Sequence, residues 1–404
     1  MKTSLPTSDL IPLREKDVVL FGAGDHGAVA LRVLQERGVA VRCFCDNSAL
    51  KQGTVYLGLP VLAPKELKTV YPHAVVFIAS LYLDPIAEQL DALGISDYRD
   101  CSPLFTGLDC QTLKLDIPQD KIARDIQTYL QMVLHRKSES VFIVKNLDVV
   151  VTEQCSLRCR DCANLMQFYE HPNVCNVERL FAALDRFMMV VDRLLEFRVL
   201  GGEPLLVKML PEILSRLTAY ENCDQIVVLT NGTILPKPEL VQSFKHEKIV
   251  VQVTNYKSLS RKLGELIRLL EENGISPVVL EPELWQDCGK IERIERTTEE
   301  LESLFANCCA GDILTLLHGI LYRCPFSAHA ENLEAVPLFS RDRLDLLEES
   351  DDLILRKRLA DFCGKRDFLD ACSYCNGRDY RVGKVPAAVQ SLRPLPYERR
   401  REKP

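Results

Sequence analysis

The chain has no apolar run long enough to cross a bilayer: its best, Ala74 to Leu83, falls far short of the roughly 20 residues that a transmembrane helix needs. An integral membrane protein is not expected. A secretory h-region is also missing, since the opening MKTSLPTSDLIPLREKD is broken by polar and charged residues, so a cytoplasmic location is expected. Basic charge is not in excess. Against 57 Asp and Glu stand 50 Lys and Arg, a net charge of -7, which leaves no electrostatic footprint for nucleic acid or anionic lipid. No sequence repeat and no long structureless linker is visible, and 404 residues suggest two or three domains.

Cysteine is what the chain has in quantity. A reducing compartment gives 16 cysteines no disulfide framework to build, and a chain of this size needs none. They are also unevenly spread: three lie at 155, 159 and 162, and six more fall between Cys308 and Cys375. Such groupings read as metal sites.

Alternating strand and helix patterns divide the remainder and point to an α/β fold with parallel sheets. Residues 1–115 read as a half-Rossmann domain: the run DVVLF leads into GAGDHG and an amphipathic stretch ending at Gly38, and further strands follow at Val41 to Cys45 and Ala74 to Ser80. Residues 116–140 read as a helical connector. Residues 141–280 alternate again, with strands at Leu147 to Val151, Phe197 to Leu200, Gln225 to Thr230, Lys248 to Thr254 and Ser276 to Leu280, the pattern of a partial βα barrel. Residues 281–380 are irregular and cysteine-rich around one charged helix, Arg341 to Arg358, and residues 381–404 form a basic, proline-containing tail that is expected to be mobile.

The unusual residues gather at the carboxyl ends of the barrel strands, where ligands of such sheets sit. Cys155-x3-Cys159-x2-Cys162 puts three soft thiolates on one loop after the first strand. Three irons of a cubane suit that set and leave the fourth open, whereas tetrahedral zinc wants a fourth protein ligand. At the end of the second strand comes Gly201-Gly202-Glu203-Pro204; Thr230 and Asn231, then Thr254 and Asn255, end the next two. A carboxylate there suits an ammonium, and glycines allow close backbone approach.

With these motifs the chain resembles the radical S-adenosylmethionine (SAM) superfamily, although the residue before the third cysteine, aromatic in that superfamily, is Asp161. The resemblance implies a [4Fe–4S] cluster on Cys155, Cys159 and Cys162. It further implies that Gly201, Gly202, Glu203 and Pro204 hold the SAM amino group, with Thr230, Asn231, Thr254 and Asn255 facing the same mouth and Thr254 near the ribose. Cys309-x9-Gly319-x4-Cys324 followed by Cys372-x2-Cys375 resembles the Twitch or SPASM extensions of these enzymes. That likeness implies one auxiliary [4Fe–4S] cluster on Cys309, Cys324, Cys372 and Cys375, with Cys363 a substitute ligand and Cys308 a spare. A structural zinc is the alternative for this group.

In the first region Gly22, Gly24 and Gly27 form a glycine turn between strand and helix, and Asp46 ends the next strand where a ribose-binding acid sits. The unit resembles the small Rossmann-like domains of sugar acyltransferases, where a nucleotide-sugar or nothing binds. His26 inside the turn reads as a helix cap. Trp285 reads as core, and Cys288, beyond the fifth barrel strand and outside both cysteine groups, is either a packed thiol or a hydrogen-atom donor to a substrate radical.

The function that these resemblances imply is reductive cleavage of SAM to a 5′-deoxyadenosyl radical, then hydrogen abstraction from a sugar, nucleotide-sugar or aminocyclitol in an oxidation or epimerisation. A peptide-modifying radical SAM enzyme and a zinc-stabilised nucleotide-binding protein are the alternatives. The partners implied are a small-molecule substrate and an electron donor such as flavodoxin or ferredoxin.

Overall fold

The structure is a computed structural model that describes residues 13–48, 51–115, 117, 119–137, 141–287, 289–311, 313–364, 366–378 and 384–400. Its internal contacts separate two units, Met1–Val141 and Phe142–Pro404.

In the first unit, strands β1 (Val18–Phe21), β2 (Val41–Cys45), β3 (Val55–Tyr56), β4 (Leu59–Leu62), β5 (Val75–Ile78) and β6 (Tyr98–Asp100) lie in the order β3-β4-β2-β1-β5-β6. Among the described residues of this unit only β3 and β4 pair antiparallel. The sequences VVLF of β1 and VVFI of β5 are buried at every position, as in parallel strands covered on both faces. One core joins them to Leu34 of α1 (Asp25–Glu36), Leu67 of α2 (Pro64–Val70), Leu90 of α3 (Leu83–Ala92), Leu104 of α4 (Ser102–Phe105) and Ile126 of α5 (Gln119–Lys137). Helix α5 lies in the stretch expected as a connector, yet it belongs to this core: Tyr129 donates to the Ile78 carbonyl at 2.5 Å and accepts from the Cys101 N–H at 2.7 Å. The chain steps from β1 to β2 on one side and later to β5 on the other, so the crevice at this reversal opens above the glycine turn.

The second unit alternates β7 (Ile143–Thr152), α6 (Val177–Val190), β8 (Arg193–Gly201), α7 (Leu210–Thr218), β9 (Cys223–Thr230), α8 (Pro238–Ser243), β10 (Ile249–Thr254), α9 (Leu263–Glu272) and β11 (Val278–Leu280). It continues with β12 (Leu284–Gln286), α10 (Thr298–Ala306), β13 (Leu314–Leu317), β14 (Ile320–Tyr322), α11 (Pro325–Asn332), β15 (Arg343–Asp345), α12 (Asp352–Cys363) and β16 (Lys384–Pro386). Eight of these strands make one sheet in the order β11-β10-β9-β8-β7-β13-β14-β15, parallel from β11 to β13. Its core follows the strand period of two: Val149, Val151, Val199 and Val228 pack with Leu184, Phe187, Leu210 and Ile213 of the helices, whereas Val150 and Leu200 join Leu317 and Tyr322 in a separate cluster.

Three expectations need correction. The cysteine-rich region is not separate from the barrel sheet, because β13 pairs in parallel with β7, Leu314 opposite Leu147, and β14 and β15 follow. The apolar LTLL of β13 is buried throughout and covers what would otherwise be an open sheet edge. The charged helix begins later than expected; residues 343–345 are strand, and α12 starts where Asp351 accepts from the Leu353 and Ile354 N–H groups. The tail, in its described part, is held along the unit: β16 pairs with β12, residues 389–391 pair with 158–160, and Leu395 N–H donates to Gln167 O at 2.8 Å. Backbone pairing of this kind needs no apolar periodicity, so composition did not betray it.

Candidate metal and cofactor site

Glu153, at the carboxyl end of β7, anchors the loop that carries the first three cysteines. It is buried, and although burial favours its neutral form, hydrogen bonds from His318 (2.7 Å), the Asn173 N–H (2.7 Å) and Asn332 (2.7 Å) hold its pKa below the usual value. Sequence reasoning did not single out this residue or its partners. Beyond it, half-buried Cys155 and Cys162 flank buried Cys159. Burial raises all three thiols, that of Cys159 to about 12, and each neighbouring thiolate adds to the effect in Cys155. A bound cation would reverse this.

The glycines at the end of β8, Gly201 and Gly202, serve a purpose other than the one expected. A Cβ on Gly201 would lie 2.1 Å from Thr152 O and one on Gly202 2.1 Å from Gln154 O, so what approaches closely is the end of β7. Gly202 N–H donates to Thr152 O at 2.8 Å and Glu203 N–H to Gln154 O at 2.7 Å. The Glu203 side chain is wholly buried, and Pro204 opens a short turn beside it. Its carboxylate accepts from Thr230 Oγ1 (2.8 Å), Asn231 N–H (2.9 Å) and Leu205 N–H (3.2 Å), while burial outweighs these bonds and pushes its pKa up to about 7. About four acceptor positions exist on a carboxylate, so one remains. Asn231 carries the network on, its Nδ2 donating to Ser156 Oγ at 3.1 Å and reaching Cys155 Sγ at 3.7 Å. Glu203, Thr230, Asn231 and Cys155 are thereby brought together across three strand ends.

Thr254 is half-buried at the end of β10, where its carbonyl and that of Asn231 share the Ser260 hydroxyl at 3.1 and 2.7 Å. Asn255 turns away to Glu281 at 2.6 Å. The next residue, Tyr256, was missed. Burial and then the three thiols, Cys162 foremost, disfavour its ionised form, and its ring meets Trp285 edge-on at 5.5 Å. An aromatic following a polar strand end was the available signal.

A second group of thiols comprises Cys308, Cys324, Cys372 and Cys375. Burial, then mutual charge, raises the first two to about 11 and 12 and lifts Cys372 as well. Cys308, expected only as a spare, is half-buried among these thiols, whereas Cys309, expected as a ligand, is exposed and its N–H donates to Arg378 O at 3.1 Å. Cys363 packs instead against the main core at the end of α12. Cys288 lies outside the described residues. Backbone N–H groups aim at sulfur in both groups: Leu157 at Cys155 (3.5 Å), Ala310 at Cys308 (3.4 Å), Ser327 at Cys324 (3.3 Å) and Gly377 at Cys375 (3.3 Å). Buried Arg378 donates to Ala163 O at 2.5 Å, and its positive charge favours the thiolates of Cys162, Cys308 and Cys324. Among the described residues no three Cys, His, Asp or Glu side chains converge on a point sized for a single ion. An all-sulfur donor set fed by N–H groups fits iron–sulfur ligation.

In the first unit Gly22 has φ of +121°, and a Cβ there would stand 2.5 Å from Ala79 O; one on Gly27 would stand 2.0 Å from Gly22 O, whereas Gly24 faces open space. Asp46 is already engaged. Its Oδ2 accepts from the Ala23 N–H at 2.9 Å and from Lys51 at 3.1 Å, which ties it into the glycine turn. His26 reaches Asp125 O on α5 at 2.9 Å rather than capping its own helix.

Comparison with known proteins gives partial matches. Residues 14–100 match the family model "C2185-like, N-terminal". The chain is 29% identical over 136 residues to a GTP 3′,8-cyclase of Geobacter sulfurreducens, covering 32% of the chain and 41% of that protein. It is 36% identical over 90 residues to one from Ectopseudomonas mendocina, 22% of the chain and 27% of the relative. The chain resembles the radical SAM enzymes. The match spans less than half the length of the curated relatives. Among solved structures, this radical SAM-like chain aligns with BtrN in complex with AdoMet and 2-DOIA at 17% identity and a TM-score of 0.37, over 59% of the chain and 94% of BtrN. It aligns with Streptococcus suis SuiB bound to S-adenosylmethionine at 15% identity and a TM-score of 0.31, over 56% and 49%. No described helix is long and apolar enough to cross a membrane.

Proposed function

We propose that the second unit performs radical SAM chemistry on a sugar-bearing small molecule and oxidises it. A [4Fe–4S] cluster, when bound, supplies the electron that splits SAM into methionine and a 5′-deoxyadenosyl radical able to abstract hydrogen from an unactivated C–H bond. The residues that would hold it are Cys155, Cys159 and Cys162. The observation that carries the reading is the hydrogen-bonded path from Glu203 through Asn231 to Cys155, which joins the carboxylate motif and the cysteine loop in one site.

Each residue then has a task. Glu203, with one acceptor position left, binds an ammonium; Thr230 and Asn231 orient that carboxylate, and Asn231 keeps the loop against it. Thr254 lies two strands along for the ribose. Tyr256, within electrostatic reach of the thiols, is held past the end of β10 by its edge-on contact with Trp285. Cys308, Cys324, Cys372 and Cys375 would ligate an auxiliary cluster fully, leaving no iron open to substrate, which favours an electron-accepting role and net oxidation. The sugar assignment follows the resemblance of the first unit to the small Rossmann-like domains of sugar acyltransferases, where a nucleotide-sugar or nothing binds, and the curated relatives are named for a reaction on GTP, itself a ribonucleotide. A low-potential donor such as flavodoxin or ferredoxin supplies the reducing electron.

The test is anaerobic reconstitution of the full chain. About eight irons per chain and release of 5′-deoxyadenosine from SAM on reduction are expected, and the nucleoside should vanish in Cys159→Ala. Zinc without iron would overturn the reading.

A further inference from the structure

The C-terminal segment touches the cysteine loop directly, and one of its side chains is aimed at a sulfur. Residues 158–160 and 389–391 form an antiparallel pair: Arg160 N–H donates to Val389 O at 2.8 Å, Ser391 N–H donates to Arg158 O at 2.7 Å, and Cys159 lies opposite Gln390. The Gln390 amide lies against Cys159, with Nε2 3.2 Å from Sγ. Its orientation follows from its other neighbours. Oε1 accepts the Arg158 N–H at 2.8 Å, which only the oxygen can do, and Nε2 also donates to Ala388 O at 2.7 Å, which only the nitrogen can do. The backbone is strained to present it: Ala388, buried two residues earlier, has φ of +57°, a conformation that a non-glycine residue keeps only where its surroundings impose it. The segment is fixed on both sides, by β16 on β12 before it and, after it, by Leu395 on Gln167 and the Tyr397 ring against Phe168 at 5.6 Å.

We propose that Gln390 is a positioning residue that sets the reduction potential of the cluster on Cys155, Cys159 and Cys162 through its hydrogen bond to Cys159 Sγ, with residues 384–397 serving as the strap that delivers it. The inference rests on the cluster reading above. Adding one electron from an external donor makes the cluster and its thiolates more negative, and a donor facing sulfur stabilises that added charge, so reduction becomes easier. Glutamine suits the task because it can accept the loop's N–H and donate to sulfur at once. Glutamate keeps the first bond and loses the second, and it also turns a negative oxygen toward sulfur.

The experiment is a redox titration of the reconstituted full chain, followed by the electron paramagnetic resonance of the reduced cluster, with Cys372→Ala removing the auxiliary signal. Gln390→Glu should reduce the equilibrium constant for one-electron reduction by at least about tenfold, a fall of 59 mV for a one-electron couple, and Gln390→Ala by less. Unchanged potentials in both would overturn the proposal, because a merely structural role moves iron content or melting temperature and not the potential. Should neither variant hold iron, wild-type protein labelled with 15N at glutamine amides decides: a nitrogen hyperfine coupling to the reduced cluster is expected, and its absence overturns the proposal. A wild type with no SAM-responsive cluster would instead overturn the cluster reading, and this inference with it.

Discussion

Glu203→Gln changes one atom of a wholly buried side chain, and its effect on stability should depend on pH. Burial lifts the carboxyl from 4.5 to about 7 against the pull of three hydrogen bonds. Its folded pKa is raised, so the stability linked to the bound proton is fully present below pH 4.5 and is lost as pH rises through 7. At 1.36 kcal/mol per unit the loss is roughly 3 kcal/mol, with a slope of about 1.4 kcal/mol per pH unit between pH 5 and 7. A glutamine does not titrate. At pH 5 both side chains are neutral and similar in shape, and the variant should lie within about 1–3 kcal/mol of the wild type, the cost of leaving a backbone N–H of Asn231 or Leu205 unpaired. By pH 8 the variant should have gained roughly 3 kcal/mol on the wild type, or about 6–12 °C in Tm for a unit of this size. Urea or thermal unfolding of the metal-free protein at pH 5, 6, 7 and 8 measures the difference, in which every other titrating group cancels. Parallel profiles for the two proteins would refute the argument, since they would mean that the carboxylate is ionised without penalty across the range.

Cys308→Ala should remove about four irons per chain whereas Cys309→Ala should remove none, as iron analysis of the two reconstituted variants will tell; the reverse result would restore Cys309 to the set. Gly202→Ala drives a methyl group into Gln154 O, 2.1 Å away, and should destabilise the second unit by at least about 1–3 kcal/mol in urea unfolding. Gly22→Ala should lower the first unit's transition and leave the second's in place, because its clash is with Ala79 O inside that unit. A chain starting at Phe142 should fold and take up iron, since the second unit has its own core; loss of cooperative unfolding in that fragment would contradict the division.

The legible parts of this protein were those written in local pattern. A fully apolar strand, VVLF, leading into a glycine turn and a second, VVFI, further along identify the first sheet, and a cysteine triplet after one strand followed by GGEP after the next identifies the candidate site. What escaped was set by long-range pairing. LTLL at 314–317 is too short to distinguish from a loop until its partner, β7, is known. Two adjacent cysteines, 308 and 309, differ by one residue of spacing, and what distinguishes them in space is that Cys308 is half-buried while Cys309 is exposed with its N–H donating to the Arg378 carbonyl. The glycines of GGEP are required for the strand next door, a steric fact with no trace in one sequence. Gln390 carries no motif at all, because its significance lies in a backbone ladder 231 residues away from its partner.

The parallel pairing of β13 with β7 gives the fold a timetable. Leu314 is 167 residues beyond Leu147, its partner, and no described strand between them pairs with that edge. At a synthesis rate of about 5–20 residues per second, the rim of β7 next to the cysteine loop waits roughly 8–33 s for its neighbour to emerge. During that interval it is an open edge of apolar residues, the kind that invites pairing with other chains, and the strap that carries Gln390 arrives later still. Cofactor loading before the last residues are made would find the loop uncovered, so assembly of this protein should be sensitive to chaperone supply and to the pace of translation through residues 152–314.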